Sequence, residues 1–103
     1  MLVQLNANHL EGTNDLRTDL IDLITDSLSR FDEHITRVEV HLGDENGNKE
    51  GAADKRCTIE ARLEGKDPVA VIHHADSYEI AVDGALDKIE GMLDKMLERQ
   101  RNY

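Results

Sequence analysis

Arg56-Cys-Thr-Ile-Glu-Ala-Arg-Leu-Glu64, Gly65-Lys-Asp-Pro68 and Val69-Ala-Val-Ile-His-His74 form the stretch on which the fold turns. Cys57, Ile59, Ala61 and Leu63 alternate with Thr58, Glu60, Arg62 and Glu64, the two-residue period of a strand with one buried face. Gly65 and Pro68 punctuate a turn. The link is short enough to make the two flanking strands a hairpin. In the second of these strands Ala70 and Ile72 share a face and His74 joins them. That phase places His74 half-buried near the start of the next element, and leaves His73 on the outer side, where it can meet His41.

Downstream, Asp76 or Ser77 caps a helix, and Asp76 with Glu79 has the spacing of a capping box. Tyr78, Val82, Ala85, Leu86, Ile89, Leu93, Met96 and Leu97 make one apolar stripe, so the helix runs to about residue 100. Upstream, Ile35, Val38, Val40 and Leu42 open a strand whose other face carries Arg37, Glu39 and His41. Before it, Leu16, Leu20, Leu23, Ile24, Leu28 and Phe31 recur in steps of three and four, a helix from about 14 to about 31. Thr13 or Asn14 can cap this helix, and Asp15 suits its positive end. Leu2 to Ala7 reads as a first strand with Val3 and Leu5 on one face. Gly43 to Lys55 is a polar, Gly-containing loop. The expected architecture is α+β, in the order β-α-β-β-β-α: one four-stranded sheet with two helices packed on one face and a polar outer face. Residues 1–103 read as a single domain, without internal repeat or linker.

The chain has 22 acidic and 12 basic residues, a formal net charge of −10, and only Phe31, Tyr78 and Tyr103 as aromatics. The core is therefore aliphatic, and platforms of exposed rings for stacking single-stranded bases are hard to build. A net negative field repels phosphate backbones unless the cations are gathered on one face. One cysteine, Cys57, allows no disulfide within the chain and suits a reducing compartment. No apolar run approaches the ~20 residues that span a bilayer, and Met1 to Asn6 does not have the form of a signal peptide. The expected location is the cytoplasm.

Glu11-Gly-Thr-Asn-Asp-Leu-Arg17, Phe31-Asp-Glu-His-Ile-Thr-Arg-Val-Glu-Val40, Asp76-Ser-Tyr-Glu-Ile-Ala-Val-Asp83 and Asp87-Lys-Ile-Glu-Gly-Met-Leu-Asp-Lys95 together resemble the ribosome hibernation promoting factor and ribosome-associated inhibitor family. Some of its members carry the older name sigma-factor modulation proteins. The resemblance covers nearly the whole chain and is to the short form, without the further C-terminal domain of the long forms. It implies a stress-response translation regulator that binds the small ribosomal subunit in the channel used by mRNA and tRNA, with Lys and Arg against rRNA phosphates and ribosomal proteins as further contacts. Some members also promote pairing of ribosomes. It implies no enzyme activity, no cofactor, no small-molecule substrate and no membrane. The departure from the family pattern is charge: the first helix exposes Asp19, Asp22 and Asp26, with only Arg17 and Arg30 as cations.

On a helical wheel Lys88, Lys95 and Arg99 fall on one stripe with Gly84 and Gly91 between them, while Asp83, Asp87, Glu90, Asp94 and Glu98 fall on its neighbour. The glycines leave room for a backbone or phosphate to approach the cations. The plainer reading is a solvated helix of mixed charge, with Asp94 paired to the neighbours of Lys95. If rRNA is bound, Lys88, Lys95, Arg99, Arg37 and Arg62 are the candidates, the last two on the outer sheet face by alternation. The alternative is a divergent acidic member of the fold that serves as a protein-binding module for a basic partner.

Other constellations carry less. Adjacent His73 and His74 point to opposite faces and do not share an ion easily. Asp44-Glu-Asn-Gly-Asn-Lys-Glu50 matches a calcium loop at Asp44, Asn46 and Asn48, but Lys49 and Lys55 stand where Gly and Glu belong. Cys57 lies on the apolar face of its strand and reads as a core residue rather than a nucleophile. The expectation is no metal and no catalysis.

Overall fold

The computed structural model describes residues 1–7, 14–44 and 54–101, without the side chains of 14 and 99–101. Strands β1 (Leu2–Ala7), β2 (Ile35–Asp44), β3 (Lys55–Leu63) and β4 (Val69–Ala75) lie in the order β1-β2-β3-β4. β1 runs parallel to β2, and the other two pairings are antiparallel. Helix α1 (Asn14–Leu28) supplies the crossover between the parallel strands and ends in a 3₁₀ turn over Ser29–Phe31. Helix α2 (Tyr78–Arg101) follows β4. The loop between β2 and β3 is shorter than its polarity suggested, because the ladder continues to Asp44 opposite Lys55. The remainder of the calcium-like stretch lies outside the described residues.

The inner face of the sheet is aliphatic, as the alternation requires. Val38, Val40, Cys57, Ile59 and Ala61 are fully buried beneath Leu20, Ile24 and Leu28 of α1 and Val82, Leu86 and Ile89 of α2. Phe31, the one phenylalanine, is buried with them. Ile35 and Val38 are both inward although an odd step separates them. A register shift between Ile35 and Arg37, a β-bulge, reconciles the two. On α1 the stripe is rotated slightly from expectation. Leu23 is 37% exposed, and Ile21 packs partly against the core in its place.

The start of α2 is capped by Ser77. Its Oγ accepts a hydrogen bond from the Ile80 N–H at 3.2 Å, satisfying one of the free donors of the first turn. At 24 residues, α2 is about 36 Å long, whereas the seven residues of β4 span about 23 Å. The last turns of α2 therefore run beyond the length of β4. There Phe31, His34, Leu63, Leu93, Met96 and Leu97 line a partly open cavity of about 160 Å³. The β3–β4 turn beside it requires Gly65, whose φ is +72°.

β4 takes the opposite phase to the one its sequence suggested. Val71 and Ala75 are buried, while Ala70, Ile72 and His74 are exposed. His73, not His74, lies beneath α2, where a Cβ at position 84 would overlap its ring. His74 stands on the outer face opposite Arg56. A one-residue change of phase exchanges every side chain between faces. Both phases of Val69–Ala75 are apolar, so local pattern alone does not distinguish them.

Candidate nucleic-acid interface

The predicted cations separate into two surfaces. Arg37 and Arg62 both lie on the outer sheet face, directly opposite each other across β2 and β3. Glu39 and Glu60 are likewise opposite each other. Like charges directly across a ladder are unfavourable, and each arginine is neutralised along its own strand instead. Arg37 Nη2 is 2.8 Å from Glu39 Oε1, and Arg62 Nε is 3.2 Å from Glu60 Oε1. Arg37 Nη2 also donates to Gln4 Oε1 on β1. His41 Nε2 lies 3.8 Å from Glu39 Oε2. Exposed pairs of this kind contribute ~0–1 kcal/mol, so a phosphate oxygen can replace a carboxylate at either arginine with little loss.

The second surface is the flank of α2 beside β4. Lys88 reaches down from it and its Nζ donates to the Ile72 carbonyl at 2.7 Å. Lys95 lies seven residues further on, within ~20° of the same line and about two turns along the axis. Arg99 belongs to the following turn, and its side chain lies outside the described residues. Across the overhang from Met96 stands Lys66 of the β3–β4 turn, a cation the sequence reading did not select. Nothing local distinguishes it; only the docking of the hairpin against the end of α2 brings it there. Among the described residues, no ion pair involves Lys66 or Lys95.

The acidic stripe of α2 is turned the other way. Asp94 accepts both Nη groups of Arg30, at 2.6 and 2.9 Å, rather than pairing with the neighbours of Lys95. Glu90 lies 4.0 Å from the same guanidinium, which also stacks 4.0 Å from the Phe31 ring centroid. The bidentate hydrogen bond holds the Asp94 carboxyl below its ordinary range and raises Arg30. Burial pushes Glu90 up, against the pull of Arg30. Arg30 thus ties down Asp94 and Glu90 on one flank of α2, and Lys88 and Lys95 lie on the other, beside β4. Arg17, on α1 itself, donates to the Leu5 carbonyl at 2.7 Å and has a structural position.

The glycines of the stripe differ in role. The space above Gly84 is filled by His73, so it admits no phosphate; around Gly91 a Cβ would meet nothing. Among the described residues no group of His, Cys, Asp and Glu has the arrangement of a metal site. Burial pushes the Cys57 thiol up to about 12, which keeps it protonated and removes it as a nucleophile. No described helix is long and apolar enough to cross a membrane.

The model of the sigma 54 modulation protein / S30EA ribosomal protein family matches residues 3–101. The chain belongs to this family. It is a family of ribosome-associated modulation proteins. The fold is shared with the N-terminal domain of Thermus thermophilus Protein Y, at 23% identity and a TM-score of 0.67, with 93% of this chain and 99% of that one covered. It is shared also with a ribosomal subunit interface protein from Coxiella burnetii, at 18% identity and a TM-score of 0.70, with 95% and 99% covered. No curated protein sequence matches the chain significantly.

Proposed function

We propose that this chain is a cytoplasmic translation inhibitor that binds the small ribosomal subunit and blocks, by its bulk, the channel used by mRNA and tRNA. It uses no cofactor and performs no catalysis. The observation that supports this reading within the family is the separation of sign on α2. Lys88 and Lys95 lie on one flank, with Lys66 across from them, while Asp94 and Glu90 face away and are tied to Arg30. A chain of net charge −10 can approach phosphates only where such a separation exists. Arg99 extends the lysine flank by position, and Arg37 and Arg62 supply a second contact on the outer sheet. These contacts position the protein without reading sequence.

The mechanism requires mutual exclusion. Purified protein displaces tRNA and mRNA from small subunits as its concentration rises, and slows translation in a reconstituted reaction. Unchanged tRNA and mRNA occupancy at saturating protein contradicts the blocking mechanism. Combined charge reversal at Lys66, Lys95 and Arg99 weakens binding; Lys88 is left in place because it also holds β4.

A second reading is favoured by α1. Asp15, Asp19, Asp22 and Asp26 are all exposed, at spacings of four, three and four that put them along one line. Like charges at such spacings disfavour the helix slightly, and a basic protein docked there removes the penalty. In that case capture of the partner survives RNase treatment, whereas rRNA-mediated capture does not.

A further inference from the structure

Among the described residues β1 and β4 are the edge strands of the sheet, and they share three properties. Neither Leu2–Ala7 nor Val69–Ala75 contains an Asp, Glu, Lys or Arg, in a chain that is 33% charged. Each edge exposes a large aliphatic side chain on the outer face: Leu2 at 55% and Ile72 at 51%. Finally, the helix above each edge sends one cation to a carbonyl near the middle of the strand. Arg17 Nη1 of α1 donates to Leu5 O, and Lys88 Nζ of α2 donates to Ile72 O, both at 2.7 Å.

An uncharged, partly apolar edge strand is a template for another strand. Elsewhere two copies of this chain repel each other, because the net charge is −10. At the edges no acidic side chain of the strand opposes approach. Antiparallel pairing of β4 with its own copy about Ile72 places Ile72 against Ile72 and extends the sheet by two-fold symmetry. Lys88 opposes this in two ways: it occupies a carbonyl in the middle of β4, and it brings two ammonium groups together when two copies meet.

We propose that the sheet edges are self-pairing surfaces held shut by Arg17 and Lys88, and that the partner excluded at β4 is a second copy of this chain. The arrangement is duplicated, one cation per helix and per edge, although the two strands differ in sequence and pair differently with their neighbours. Arg17 and Lys88 therefore act as edge guards whatever the protein binds.

The test uses the full chain at physiological salt, where repulsion between copies is screened. Sedimentation equilibrium gives the monomer–dimer constant for the wild type, Lys88→Ala, Lys88→Arg and the double variant Lys88→Ala/Ile72→Pro. The inference predicts a monomeric wild type and a monomeric Lys88→Ala/Ile72→Pro, since proline removes a backbone donor from the edge. It predicts association at least about tenfold tighter for Lys88→Ala, about 1.4 kcal/mol, and wild-type behaviour for Lys88→Arg. If Lys88→Ala does not fold, Lys88→Met keeps the aliphatic stem and gives the same reading. Equal constants for wild type and Lys88→Ala overturn the proposal. So does association of Lys88→Ala that persists with Ile72→Pro, which places the contact elsewhere.

Discussion

Arg37 and Arg62 stand directly opposite each other on the outer face of the sheet, and the carboxylates that neutralise them, Glu39 and Glu60, stand opposite each other as well. A ladder built for stability alone would place Arg against Glu. Here two arginines occupy facing positions of the ladder instead. In the proposed function each takes one phosphate, so Arg37→Gln or Arg62→Gln lowers the salt dependence of ribosome binding by about one in log–log slope. Titrations over a range of salt measure this. An unchanged slope in both variants removes the outer sheet face from the interface.

Arg30 and Asp94 clamp the end of α1 to α2. The folded carboxyl of Asp94 titrates below its unfolded value. The clamp therefore contributes stability above the unfolded pKa of Asp94 and loses it as pH falls through the depressed folded value. Glu90 has the opposite sign: its folded value is raised by burial, so acid relieves a cost there. The expected result is that Asp94→Asn is less stable than wild type at neutral pH, and that the difference vanishes in acid. Glu90→Gln differs least, or stabilises, at neutral pH. Urea unfolding at several pH values gives both.

Gly84 and His73 fit together as one unit. Gly84→Ala gains up to ~1 kcal/mol of helix propensity, but its methyl overlaps the His73 ring, and overpacking costs ~1–3 kcal/mol. The net effect is a loss. In a His73→Ala background the overlap is absent and Gly84→Ala becomes stabilising. The sign reversal in a double-mutant cycle identifies steric contact as the reason for the glycine.

Cys57 is fully buried, with its thiol pushed up to about 12. In the folded protein, alkylation at mildly alkaline pH proceeds only through opening of the sheet. Its rate follows stability across variants such as Gly84→Ala. Alkylation as fast as that of free cysteine contradicts the placement.

Much of this was legible in the sequence, and the residues explain what was not. The strict alternation of β3 and the stripes of both helices defined the order of elements, and alternation placed Arg37 and Arg62 on the outer face. The phase of β4 was not legible, because Val69, Val71 and Ala75 offer one apolar face and Ala70 and Ile72 another. The deciding fact is the space that Gly84 leaves for His73 on a different element. The partners of Arg30 and Lys88 were equally hidden, since they lie 64 and 16 residues away and carry no local signal. The glycine read as room for a phosphate was room for a histidine for the same reason.

In the proposed function a chain of net charge −10 binds the small ribosomal subunit. Sedimentation of the purified protein with ribosomes through sucrose gradients, at low and at physiological salt, tests it most directly. Migration with the small subunit is expected at both, weaker at the higher salt and weaker again when Lys66, Lys95 and Arg99 are reversed. Protein that stays at the top of the gradient at both salts contradicts it.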